Sequence, residues 1–267
     1  HGRDRRQRQM CIRDSYKALP IFDQAPTLIA VGKAAVSMAK AAQSVLGDLP
    51  ETLVVTNPEN AVNLPRAQVF AAAHPIPDQI GLKAGLAVIS ALKRASMAKR
   101  PVLCLISGGG SALLPAPIVG ISLKDKINLN KLLLASGADI EVMNLIRQQI
   151  SLLKGGGILR YASPSSVTSL ILSDVIGDDL RAVASGPTVS PIGTRLQACA
   201  ALRTLGLWDQ IPTAVKTALE RHEKVIDFPV AKNILIGSNG LSLAAMAKVM
   251  PEAKVHQMPL VGDVAQA

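Results

Sequence analysis

Aromatic residues are nearly missing from this sequence: two Tyr, three Phe and one Trp in 267 residues. A surface that grips single-stranded nucleic acid stacks successive bases on aromatic rings, so this scarcity argues against one. Cysteine is also sparse, with three scattered residues, too few for a disulfide framework or a metal cluster. Cys104 lies inside an apolar run and reads as a small core residue. A reducing compartment follows, and the cytoplasm is the expected location. No apolar run approaches the roughly 18 uninterrupted residues of a spanning helix. Nothing at the start combines a basic flank, an apolar stretch and a small-residue cleavage site, so a soluble, non-secreted chain is expected. Two nucleotide signatures are missing as well. There is no G-x-x-x-x-G-K-S/T, and no G-x-G-x-x-G with an acid following the first strand.

What is present is a composition able to build a core, 49% apolar and 18% charged, which suits one large domain or one domain plus part of another. The net charge of +10 would ordinarily point to an anionic partner. Five arginines and two aspartates between His1 and Ser15 contribute +3 of it. The string RQRQMCIRDS from Arg6 to Ser15 resembles the translation of a sequencing-library adapter. Residues 1–15 are therefore expected to be non-native or disordered, the other reading being a basic arm for nucleic acid. Residues 16–228 are assigned to one α/β domain. The stretch 229–267 is assigned to the start of a second one, cut short where the chain stops at PLVGDVAQA.

Short apolar runs alternating with helical periodicity predict an α/β fold, a three-layer Rossmann-like, mostly parallel sheet with helices on both faces. The expected strands are Thr27 to Val31, Thr52 to Thr56, Gln68 to Ala71, Val102 to Ile106, Thr168 to Ser173 and Ile234 to Ile236. Ser122 and Asp125 form a capping box that opens a helix ending at Gly137. That helix reads as structural. The next is expected from about Asp139 to Lys154, with Val142, Leu145, Ile146, Ile150 and Leu153 buried. Asn144, Arg147, Ser151 and Lys154 then share its opposite face, which periodicity alone assigns to solvent.

Three segments could carry chemistry. The strand from Val102 exits into Ser107, Gly108, Gly109, Gly110 and Ser111, where consecutive glycines let the backbone approach a phosphate or carboxylate. Lys33 follows the first strand and opens a helix against the macrodipole, a placement explained by an anionic ligand or by a side chain swinging into water. The strand from Thr168 exits into Asp174, Gly177, Asp178 and Asp179. One or two of these carboxylates, with Asp174 and Asp178 the metal candidates, could hold Mg²⁺, or one of them could take a proton from an attacking hydroxyl. One of Asp178 and Asp179 is expected to cap a helix instead.

Seven stretches, in order, resemble the glycerate 2-kinase family, whose members pair an N-terminal α/β domain with a C-terminal MOFRL domain. They are VGKAAVSMA from Val31, HPIPD from His74, LISGGGSALLPAP from Leu105, LLLASGADI from Leu132, NLIRQQISLLKGG from Asn144, LILSDVIGDD from Leu170 and ASGPT from Ala184. The resemblance implies ATP-dependent phosphoryl transfer to the 2-hydroxyl of glycerate, giving 2-phosphoglycerate, with ATP and Mg²⁺ as cosubstrates and the active site in an interdomain cleft. It raises Lys33 and Asp174 to catalytic candidates, and the Ser107–Ser111 loop, Arg147 and Lys154 to substrate- or phosphate-binding candidates. It also implies that the missing MOFRL domain completes the site, that the fragment alone is inactive, and it leaves a homodimer open. After SGPT this chain reads VSPIGTR, where the family has an Asp-containing turn. An NAD(P)H-dependent hydroxypyruvate reductase and a non-catalytic anion-binding module are the other classes compatible with the residues.

Overall fold

The computed structural model describes residues 19–221, 229–250 and 252. The segment 1–15 and the strand anticipated near Val255 lie outside the described residues. Six strands form one wholly parallel sheet: β1 (Thr27–Val31), β2 (Thr52–Thr56), β3 (Gln68–Ala71), β4 (Val102–Ser107), β5 (Val167–Leu172) and β6 (Lys232–Gly237), in the order β3-β2-β1-β4-β5-β6. This is the doubly wound order, with its switch point between β1 and β4. Each strand match to the sequence reading is within two residues. The reason is that strands covered on both faces must be apolar throughout, so they stand out as unbroken runs.

The two faces are visible within β1. Leu28 and Ala30 pack with Ala35, Met38 and Ala42 of α1 (Ala35–Leu46). Ile29 and Val31 pack on the other side with Val88 and Leu92 of α2 (Gln79–Met97). After β4 come the single turn α3 (Gly110–Leu113), then α4 (Leu123–Ala135), α5 (Ile140–Gln149) and α6 (Gly157–Ala162), which returns to the sheet beside α2. The chain continues after β5 through α7 (Arg195–Thr204) and α8 (Thr213–Glu220).

α4, α5, α7 and α8 build a separate helical core around Leu133, Ile146, Leu202 and Val215. This cluster lies beyond the helices that cover the sheet. The capping box at Ser122 is present in full, with the Ser122 hydroxyl accepting from Asp125 N–H and the Asp125 carboxylate accepting from Ser122 N–H. Asp139 caps α5 by accepting from Val142 N–H at 2.8 Å.

Two expectations need correction. The helix anticipated from Asp139 to Lys154 stops at Gln149. Beyond it Ser151 forms an antiparallel bridge with Pro117, Leu152 N–H donates to Ala116 C=O at 2.7 Å, and Gly155 and Gly156 take positive φ. The bridge competes with another helical turn and wins because it also closes the segment over the sheet. Asn144, Ser151 and Lys154 accordingly do not form a solvated helix face, being 1%, 2% and 3% exposed.

The second correction concerns the stretch from residue 229. β6 pairs in parallel with β5, Leu170 opposite Ile234, so this stretch supplies the outer strand of the first sheet. Cross-strand pairing to an apolar neighbour outweighs the composition break before Pro229. α9 (Asn239–Val249) follows and buries none of its residues. Assigning residues beyond it to a further domain stays a proposal.

Candidate active site

The close approach of β1 and β4 fixes the geometry. Gly32 has φ 122°, and a Cβ there would lie 2.2 Å from Ser107 Oγ and 2.4 Å from Ser107 O, so only glycine permits the contact. Ser107 Oγ accepts from Ala34 N–H at 3.1 Å and donates to Val31 C=O at 3.4 Å. Ser107 was expected to bind ligand, but its buried hydroxyl is committed to stapling the two strands. Lys33 N–H donates to Gly108 C=O at 2.9 Å. That bond hangs the exposed Lys33 side chain over the glycine loop, just before α1 rather than inside its first turn.

The glycines show what surrounds them. A Cβ on Gly108 would fall 1.9 Å from Asp174 Oδ2, and one on Gly109, where φ is 85°, would fall 3.2 Å from Lys33 Cγ and 3.3 Å from His74 Cδ2. Lys33, Asp174 and His74 therefore meet over Gly108 and Gly109, at the carboxyl ends of β1, β4 and β5, where open parallel sheets bind ligands. Burial first, and then the charge on Lys33, holds His74 below its ordinary 6.5 against the opposite pull of Glu59 and Asp174. Neutral imidazole is thereby favoured near pH 7. His74 belongs to the HPIPD stretch, yet its role as a site residue was not read from the sequence.

A second group of residues opens beside the first. Lys154 Nζ donates to Ser111 C=O at 2.9 Å and to Ser111 Oγ at 3.0 Å. Ser111 Oγ lies 2.9 Å from Ser185 Oγ, which in turn donates to Asn144 Oδ1 at 2.8 Å. Ala184, Ser185 and Gly186 all have positive φ, a strained turn held by Gly155 N–H to Ser185 C=O (3.1 Å) and Gln148 Nε2 to Ser185 C=O (3.2 Å). The strain positions Ser185, and through it the Ser111 hydroxyl that receives Lys154.

Lys126, Arg147 and Lys154 line a cavity of about 230 Å³ that also touches His74 and Gly109, and among the described residues no Asp or Glu lines it. Lys126 Nζ and Arg147 Nε are buried without a hydrogen-bond partner. Burial, helped by the charge of Arg147, pushes Lys126 down from 10.5 to about 8. Burial again, then Lys126 and Arg147, drives Lys154 well below its ordinary range. Lys126 is the residue that sequence reasoning missed. It stands three positions after Leu123 and three before Leu129, in the apolar register of α4, and a cation in that register was the available signal.

Of the acidic residues, Asp174 is exposed at the loop. Asp179 is spent on Arg181, with Arg181 Nη2 2.9 Å from Oδ2 and Arg181 N–H donating to Oδ1 at 2.9 Å. Asp178 sits in a left-handed turn, φ 53°, its N–H donating to Val175 C=O. Among the described residues no three His, Cys, Asp or Glu side chains gather as a metal site. No described helix is long and apolar enough to cross a membrane.

Residues 6–220 match the family model described as a domain of unknown function, DUF4147. The chain belongs to that family. This DUF4147 chain is 40% identical over 258 residues to glycerate kinase of Homo sapiens, covering 90% of this chain and 49% of the relative. It is 40% identical over 231 residues to glycerate 2-kinase of Pyrococcus horikoshii, covering 83% and 51%. The crystal structure of glycerate kinase from Thermotoga maritima superposes with a TM-score of 0.82 at 32% identity, over 92% of this chain and 60% of that one. The chain thus spans about half the length of the curated relatives it matches.

Proposed function

We propose that the chain is the α/β part of a glycerate 2-kinase, and that the phosphoryl group of ATP passes to the 2-hydroxyl of glycerate above Gly108 and Gly109. The observation that carries this reading is the convergence of Lys126, Arg147 and Lys154, with no carboxylate of the described residues lining their cavity, right beside the Lys33, His74 and Asp174 group. Cations gathered without acids are costly unless an anion completes them. In this reading the carboxylate of glycerate enters the cavity, where the planar fork of Arg147 matches its two oxygens and Lys154 adds a point charge. The substrate hydroxyl then lies toward the glycine loop. His74, held neutral, accepts its proton. Lys33 contacts the transferring phosphoryl group and offsets the charge spread over its oxygens.

Mg²⁺ fits the donor set in the manner of phosphoryl-transfer sites, which hold the ion by one or two carboxylates and leave the rest to phosphate and water. Asp174 would hold it, and Asp178 remains the second candidate. When bound, the ion neutralises charge on the β- and γ-phosphates. Residues outside this chain's span are expected to close the cleft, since a half-open site stays wet and poorly preorganised. The test is to incubate the full-length protein with ATP, Mg²⁺ and glycerate and follow phosphoglycerate and ADP. A parallel reaction holds hydroxypyruvate and NADH without ATP. Product in the first alone is expected; NADH loss in the second, with none in the first, would replace the kinase by the reductase.

A further inference from the structure

Leu123, Leu129 and Leu133 of α4 are all core residues, and Lys126 shares their side of the helix with only 5% of its surface exposed. An apolar side chain there would continue the stripe. Instead an ammonium group is buried, its Nζ lacks any hydrogen-bond partner, and the charges it faces are Arg147 of α5 and Lys154 of the segment after α5, both cationic. His74 borders the same cavity from the β3–α2 connection. Among the described residues no acidic group compensates this cation, which is the signature of a group that binds an anionic ligand. The cavity also bears Leu129 and Ile150, so the ligand has an anionic end and a short carbon body.

We propose that Lys126 is a substrate-binding residue whose ammonium group, with Arg147 and Lys154, seats the carboxylate of a short hydroxy acid and so selects the acid over the neutral polyol of equal length. Naming glycerate as that acid rests on the function proposed above; the seat itself rests on the orphaned cations. A second consequence follows. Because the seat holds like charges together, the residue that confers selectivity also destabilises the protein in the absence of the anion.

Thermal melts of the full-length protein at pH 7 separate these roles. Lys126→Met keeps the length of the side chain and removes the charge. Without ligand it is expected to melt roughly 1–2 °C above the wild type for each kcal/mol of strain relieved, the shift per kcal/mol falling as chain length grows. Glycerate should raise the wild-type melting temperature and bind at least about tenfold more weakly to Lys126→Met, a factor typical of one lost charged hydrogen bond, while glycerol shifts neither. Lys126→Gln, which keeps a polar end, should also lose glycerate binding. If both variants bind glycerate as tightly as the wild type, Lys126 is not in the seat, although the kinase reading survives. If the wild type ignores glycerate yet binds inorganic phosphate in a manner abolished by Lys126→Met, the seat stands and the glycerate reading falls. Binding of neither anion, or failure of both variants to fold, overturns the proposal.

Discussion

Raising the pH from 7 to 9 should stabilise the ligand-free protein, opposite to the alkaline-side loss expected of a domain held by lysine ion pairs. The cause is the buried amine of Lys126, lowered from 10.5 to about 8. Below pH 8 both native and unfolded states carry its proton, and the native state bears the full penalty, about 3 kcal/mol for a shift of this size. Between about pH 8 and 10.5 the native amine has shed the proton that the unfolded chain still binds, so stability rises with pH. Across pH 7 to 9 Lys126 alone restores on the order of 1 kcal/mol. Lys154, also lowered by burial, adds with the same sign. The buried thiol of Cys104, raised from 9.0 to about 12, and that of Cys199, also raised, act oppositely from about pH 9 upward, where only the unfolded thiols ionise. Urea midpoints at pH 7, 8 and 9 read the effect, with Lys126→Met as control. The wild-type midpoint should climb, and it should climb less in the variant. A flat or falling wild-type profile, or an identical slope in Lys126→Met, would refute the claim that an uncompensated cation is buried there.

Three further outcomes test the cleft. Gly32→Ala places a Cβ 2.2 Å from Ser107 Oγ at φ 122°; a loss of at least about 1–3 kcal/mol in urea melts is expected, and an unchanged midpoint would contradict the close approach of β1 and β4. Gly108→Ala puts a Cβ 1.9 Å from the exposed carboxylate of Asp174, so the fold should persist while the displaced carboxylate lowers turnover of the full-length protein about 10²-fold; normal turnover would remove Asp174 from the mechanism. Lys33→Ala should lower turnover by roughly 10²–10³ and leave the melt within about 0.5 kcal/mol, and a variant that turns over normally would take Lys33 out of the site.

The sheet was legible because its inner strands are buried on both faces, so β1 or β4 shows as an unbroken apolar run ending in glycine or serine. Lys33 and the glycine loop were legible for the same reason: they lie directly beyond such runs. The remainder depends on contacts between segments distant in sequence. Ser107 has the hydroxyl of a phosphate ligand but uses it on Ala34 and Val31, 73 and 76 positions away. Lys154 was placed on a helix because its spacing from Arg147 is helical, and only the bridge from Ser151 to Pro117 reveals that it reaches the cavity from a non-helical segment. Lys126 hid inside a helix whose capping box made it look purely structural. Neither the packing of Leu133 with Leu202 in the helical cluster nor the pairing of β6 with β5 leaves a local signal, since both arise where segments far apart in sequence meet.

In the proposed function the acid's carboxylate occupies the cation cavity, and the transferring phosphoryl group lies over Gly108 and Gly109. A crystal structure of the full-length protein with glycerate and a non-hydrolysable ATP analogue measures this directly. The carboxylate should contact Lys126, Arg147 and Lys154, with the terminal phosphate within hydrogen-bonding distance of Lys33 Nζ. Nucleotide phosphates filling the Lys126 cavity, with glycerate bound elsewhere, would contradict the account.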